Sequence, residues 1–219
     1  MIFELDNVEL YFNNTRILHG IYLKGETGIV TSILGQNGCG KSSLMNIAFG
    51  NLQPKYKLVR INNTPILKPL YKTGLVKFLP QYNFIPKSMK LSYAFNLFKI
   101  DWNDFIMNFE PFENYKNSRL KELSGGERRI VETYIILKSE SKIVFLDEPF
   151  SHIAPLHIEK IKQLIILEKA HKIMIISDHM YKHVIDCSDD IYLLKNGTTK
   201  KIGNLSELED YKYLSEGTL

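Results

Sequence analysis

The chemistry of this chain is most legible in Gly35–Ser43, which reads GQNGCGKSS. The stretch matches G-x-x-x-x-G-K-[ST] and lies between a short apolar run, Gly28–Leu34, and a segment, Ser43–Phe49, that is apolar at helical spacing and stops at Gly50. Glycines let the backbone curl until successive amides face one concavity, a nest for phosphate oxygens, and a following helix adds its positive end. Lys41 supplies a point charge for the β- and γ-phosphates, and the Ser42 hydroxyl is a magnesium ligand. Cys39 falls inside the loop, where it reads as filling a place that wants a small side chain, with a redox role as the alternative.

A second cluster is acidic. Asp147 and Glu148 end the apolar run Ile143–Leu146, about a hundred residues after the loop. A carboxylate at the end of a buried strand can hold Mg²⁺, and the next one can accept a proton from an attacking water or orient it. Alone, the same residues read equally well as acids opening a loop before Pro149. A third cluster is Leu123–Glu127, LSGGE, where Ser124 can cap a helix while Gly125 and Gly126 expose backbone amides. That is a second anion site, although the pentapeptide by itself also describes a capped surface helix.

These residues need elements to hold them. Ile2–Tyr11 and Ile17–Leu23 read as strands, as do Gly28–Leu34, Leu75–Leu79, Lys142–Leu146 and Lys172–Ile176. Ile130, Val131, Tyr134 and Ile135 share one face of a helix over Glu127–Lys138, and Pro155 opens another running to about Lys169. Ile191–Leu194 and Thr198–Ile202 flank an Asn196-Gly197 turn. Strands alternating with helices predict an α/β fold with a parallel central sheet, and the β-rich start and late hairpin predict an antiparallel portion beside it. Aromatics, Asn and Lys between Asn83 and Leu120 predict a compact, mostly helical insertion. The organisation expected is one domain over 1–219, its core formed by 1–82 and 124–219 and its small helical subdomain by about 83–123.

Composition narrows the function classes. The 219 residues carry a net charge of +4, with no basic block interleaved with aromatics, which argues against a nucleic-acid partner. The longest apolar runs, such as Leu164–Leu167, are four residues long, against about 20 for a membrane span. Cys39 and Cys187 sit in no metal or redox spacing, and MIFELDNVEL has no signal-peptide pattern, so a reducing cytoplasm is expected.

In their order along the chain, Gly35–Ser43, LSGGE and Asp147-Glu148 resemble the ATP-binding cassette (ABC) ATPases, whose signature is LSGGQ or LSGGE. The resemblance runs from Phe12 to about Gly203 and implies a P-loop NTPase core with ATP and Mg²⁺ as cofactors. It makes Gly35, Asn37, Gly38, Cys39, Gly40, Lys41, Ser42 and Ser43 ATP-binding residues, Asp147 a metal ligand beside Ser42, and Glu148 the catalytic base. Gln81, in Leu79–Gln81, resembles the Q-loop glutamine that touches Mg²⁺ or the attacking water and senses the γ-phosphate. His179, in Ser177–His179, resembles the switch histidine that contacts the γ-phosphate and helps position the base. Phe12 is similar in spacing to the aromatic that stacks on adenine, Tyr11 competes for that role, and either could be core.

The resemblance also implies a head-to-tail dimer of cassettes, homo- or heteromeric, around two ATP. Ser124, Gly125, Gly126 and Glu127 of each would close on the partner's nucleotide. On this reading the chain binds and hydrolyses ATP and energises a separate membrane permease, so that it lies in the cytoplasm against the inner face of the cell membrane. A regulatory cassette with little turnover and a soluble non-transport ABC ATPase are the alternatives.

Two departures stand out. The segment after the acid pair usually ends in Leu-Asp, the D-loop, whereas here it ends in Ile153-Ala154 before Pro155. Alanine cannot make the hydrogen bonds by which that aspartate links the two ATP sites. Ser151 and His152 read as an exposed pair of loop residues, with partial substitution for the missing acid as the other possibility. Gln81 to Leu123 covers 42 positions, so the helical subdomain, part of the groove that receives a permease, is expected to be small.

Overall fold

The computed structural model describes residues 1–215, 217 and 218. Strands β1 (Ile2–Phe12) and β2 (Thr15–Glu26) pair antiparallel. The next strand, β3 (Val30–Leu34), enters a different sheet and is buried along its whole length. After helix α1 (Lys41–Phe49), strands β4 (Tyr56–Ile61) and β5 (Thr64–Pro65) return to the first sheet, which has the order β2-β1-β4-β5 and is antiparallel throughout.

The second sheet adds β6 (Val76–Leu79), β7 (Ile143–Asp147), β8 (Ile173–Ser177), β9 (Asp190–Lys195) and β10 (Thr198–Ile202), in the order β10-β9-β3-β8-β7-β6. The five strands from β9 to β6 run parallel. β10 pairs antiparallel with β9 at the edge, so the late hairpin extends the central sheet instead of joining the antiparallel one. The physical reason is the two-residue turn at Asn196-Gly197, which obliges β10 to follow β9 wherever β9 goes.

Strand alternation divides the core between the two faces of the central sheet. Ile143, Phe145, Ile173 and Ile175 pack with Phe3, Leu5, Leu23 and the α1 residues Leu44 and Ile47. Val144, Leu146, Met174 and Ile176 face the other way, toward α4 (Gly125–Lys138), α5 (Pro155–Lys169) and α6 (Tyr181–Cys187). Buried on both sides, β7 and β8 are accordingly continuous apolar runs. Between β6 and α4 lie α2 (Leu91–Leu97), α3 (Trp102–Asn108) and two short 3₁₀ turns, Glu110–Tyr115 and Leu120–Glu122. Phe95, Trp102, Phe105, Phe109 and Phe112 knit this segment together and onto Tyr134 of α4. The last helix, α7 (Glu207–Asp210), is a single turn. Among the described residues no helix is long and apolar enough to cross a membrane.

Candidate active site

Parallel strands deliver their C-terminal ends to one edge of a sheet, and ligands of open α/β folds gather there. In the order β3-β8-β7-β6 those ends carry the phosphate loop, Asp178-His179, Asp147-Glu148 and Gln81. Segments up to 142 positions apart in the chain, from Asn37 to His179, therefore meet at a cavity of about 550 Å³ lined by Asn37, Gly38, Gly40, Lys41, Ser42, Ser43, Gln81, Glu148 and His179.

The phosphate loop is shaped by sterics. Gly40 caps α1 with φ 107° and no side-chain acceptor, so the first amides of the helix remain open to an anion. A Cβ at Gly35 would stand 2.6 Å from the Leu194 carbonyl oxygen and 2.7 Å from Cys39 Sγ, so the thiol of Cys39 fills the space that this glycine leaves. Lys41, nearly buried, bends back to donate to the Gly35 and Gln36 carbonyls at 2.6 and 3.1 Å.

Asp147 is buried, and burial pushes its carboxyl up to about 6, opposed by a hydrogen bond from Ser42. Its Oδ1 has no hydrogen-bond partner among the described residues. An orphaned carboxylate oxygen beside a serine hydroxyl, facing a phosphate loop, is an oxygen donor set that suits Mg²⁺. The residues present therefore fit the ion.

Glu148 follows with a left-handed backbone, φ 56°, which places its side chain in the cavity instead of the core. Gln81 Nε2 donates to one carboxylate oxygen at 3.0 Å and Ser151 Oγ to the other at 3.0 Å. His179 Nδ1 lies 3.7 Å from Glu148 Oε2 and 3.4 Å from Asp178 Oδ1. Ser151 is thus turned inward, contrary to its reading as an exposed loop residue, whereas its neighbour His152 is exposed. The turn that closes with Ser151 N–H donating to the Glu148 carbonyl directs the hydroxyl inward.

The signature sits apart from this cavity. Ser124 and Glu127 form a reciprocal cap: Glu127 N–H donates to Ser124 Oγ at 3.3 Å, and Ser124 N–H to Glu127 Oε2 at 2.7 Å. The two glycines differ. A Cβ at Gly126 would stand 2.2 Å from the His152 carbonyl oxygen, whereas none of the described residues comes within 4 Å of one at Gly125. Packing within the chain explains glycine at 126 but not at 125.

The two aromatics competing for a base also differ. Tyr11 is engaged, its hydroxyl donating to Glu9 at 2.5 Å and its ring 5.3 Å from Lys55 Nζ. Phe12 is 48% exposed and makes no ring contact among the described residues. A second cavity, about 500 Å³, opens on the other side of Asn37 and Gly38 and is lined by Arg16, Ile17, Cys39 and Tyr213.

Sequence reasoning assigned no role to two groups of charged residues on α4. Arg129 donates to the Glu148 carbonyl at 3.0 Å, to the Pro80 carbonyl at 2.7 Å, and to the Asp147 carbonyl. Its planar fork thereby fastens the start of the Gln81 segment to the acid pair. Arg128 and Glu132 grip one residue farther along that segment: Arg128 donates to the Ile85 carbonyl at 3.1 Å, and the Ile85 N–H donates to Glu132 at 3.1 Å. Arg128, Arg129 and Glu132 of α4 are buried with its apolar residues, which an amphipathic pattern does not anticipate.

The family model described as ABC transporter matches residues 18–151. The chain is 26% identical over 226 residues to an ABC transporter ATP-binding protein of Methanocaldococcus jannaschii, covering 99% of this chain and 84% of that one. It is 30% identical over 223 residues to the energy-coupling factor transporter ATP-binding protein EcfA of the same organism, covering 93% and 80%. A solved structure of the ATP-binding subunit of an ABC transporter has the same fold, with a TM-score of 0.80 at 19% identity over 98% of this chain and 94% of that one.

Proposed function

The chain belongs to the ABC transporter family as an ATP-binding subunit, and from that premise we propose that it hydrolyses Mg·ATP within a dimer of cassettes to drive a separate membrane permease. The observation that carries the reading is the convergence on Glu148: its two carboxylate oxygens are oriented by Gln81 and Ser151, with His179 beside them and the phosphate loop across the same cavity. A carboxylate held this way can take a proton from a water lined up on the γ-phosphate. His179 contacts that phosphate and fixes the position of the base. Lys41, with the loop amides from Gly38 to Ser43, binds the β- and γ-phosphates, and Gln81 senses the last of them.

Ser42 and Asp147, with Gln81, would hold Mg²⁺, which when bound neutralises phosphate charge. Phe12 is the residue proposed to stack on adenine, because Tyr11 is already committed to Glu9 and Lys55. The base would lie near the second cavity, where Arg16 and Ile17 join the site.

Ser124, Gly125, Gly126 and Glu127 are proposed to close on the partner's ATP. The support is Gly125, which the chain's own packing does not require. ATP binding closes the dimer, hydrolysis and product release reopen it, and each state favours a different permease conformation. Tyr93 and Leu97, exposed and one turn apart on α2, with Tyr82 in the Gln81 segment, offer apolar surface to such a partner. We propose further that residues 1–219 form one domain, with 83–123 as its helical part, and that the chain works at the cytoplasmic face of the membrane. ATPase activity of the purified chain, alone and with its permease, tests the reading. Turnover stimulated by the permease is expected; none in either condition overturns it.

A further inference from the structure

Asp178 lies between the end of β8 and His179 and is completely buried. Burying a carboxylate is costly unless hydrogen bonds replace its water. Here two backbone amides do so, and they come from different loops. Met180 N–H donates to Oδ1 at 2.9 Å, which shapes the turn that carries His179. Phe150 N–H donates to Oδ2 at 2.9 Å, which fixes the start of the segment leading from Glu148 to α5. The Phe150 side chain is buried beneath it, 6.0 Å from the His183 ring of α6.

From Phe150 the segment reaches both halves of the proposed machinery. Ser151 Oγ donates to Glu148 Oε2 at 3.0 Å. His152 takes a left-handed φ of 63°, and its carbonyl covers Gly126 so closely that a Cβ there would be 2.2 Å away. At the far end, Ala154 is the N-cap of α5 and supplies no side-chain hydrogen bond. The Ala154 carbonyl joins the segment to α5 by accepting from the His157 and Ile158 amides, and toward the site the polar anchoring lies at Phe150 and Ser151, where the partner most distant in the chain is Asp178.

We propose that Asp178 is a positioning residue that holds residues 150–153 against Glu148 and Gly126, so that the loop bearing Ser151 and the loop bearing His179 move as one piece. This rests on the reading of Glu148 and His179 as catalytic. It adds a coupling within one chain where residue 154 has no acid to provide one across the dimer.

Asp178→Asn is the direct test, because an amide oxygen can accept only one of the two amides in this geometry while the amide nitrogen faces the other as a second donor. The expected result is a kcat lowered about tenfold or more, with the KM for ATP within about twofold of wild type because the phosphate loop is untouched. Ser151→Ala should act on the same link, so the two substitutions together should cost little more than Asp178→Asn alone. An unchanged kcat in Asp178→Asn, multiplicative losses in the double variant, or a raised KM with no fall in kcat would overturn the assignment.

Amide hydrogen exchange on the wild-type chain reads the same link without requiring turnover or a folded variant. Phe150 and Met180 should be protected to the level of the adjoining strand β8, and exchange at the rate of open loop would count against Asp178 as their anchor. Protected amides in a chain without ATPase activity would refute the hydrolytic reading while leaving the anchoring role of Asp178 standing.

Discussion

The phosphate loop lines the cavity and the segment 150–154 reaches it through the bond from Ser151 to Glu148, yet the two are held in place by different physics. In Gly35–Ser43 the hydrogen bonding is local: Gly40 opens the helix and Lys41 bonds carbonyls five and six residues earlier, while Gly35 makes room both for Cys39 Sγ in the loop and for the Leu194 carbonyl of β9. In 150–154 the conformation is borrowed, from Asp178 through Phe150, from Glu148 through Ser151, and from Gly126 beneath His152. A loop held at Phe150 by Asp178 and at His152 against Gly126 registers movement in both of those segments, which suits it to report on the state of the site.

The contrast yields predictions of graded size. Lys41→Ala should leave the fold intact while weakening ATP binding by about 100-fold, roughly 3 kcal/mol, because a charge-assisted contact to phosphate is lost; titration with a fluorescent ATP analogue measures it. Gly126→Ala forces the new methyl against the His152 carbonyl and should cost about 2 kcal/mol, seen as a fall of about 4–8 °C in the thermal midpoint of the nucleotide-free chain.

Ala154→Asp supplies the missing helix cap and should stabilise the chain by about 1 kcal/mol, a rise of about 2–4 °C. If it also restores communication between sites, ATPase cooperativity rises with it. Gly125→Ala should move the thermal midpoint by no more than the equivalent of about 0.5 kcal/mol, since only open space surrounds it. The same variant should nevertheless lose ATPase activity, and equal thermal losses at 125 and 126 would erase the distinction between a glycine kept for its own fold and one kept for a partner.

The same division explains what was legible in the sequence. Gly35–Ser43, the Ser124–Glu127 cap and the apolar run before Asp147 each declare themselves within a few consecutive residues, because the constraint on each is local. Strand β4 was not anticipated: Tyr-Lys-Leu-Val-Arg-Ile is buried only at Val59, and its pairing with β1 is a tertiary decision. Arg129 and Asp178 escaped for a related reason. Arg129 bonds carbonyls at Pro80 and Asp147, and Asp178 bonds an amide at Phe150, links spanning 49, 18 and 28 positions that no spacing rule encodes. The edge placement of the β9–β10 hairpin likewise depends on which strand β9 joins, which its own residues do not specify.

The central claim, that two such chains enclose ATP between a phosphate loop and a partner's signature, is tested most directly by Glu148→Gln. The amide keeps the shape of the side chain and the Gln81 and Ser151 neighbours but cannot act as a base. With saturating Mg·ATP, the variant should elute from a size-exclusion column at twice the monomer mass, carrying two unhydrolysed ATP per dimer. A Glu148→Gln chain that binds ATP and still elutes as a monomer would contradict it.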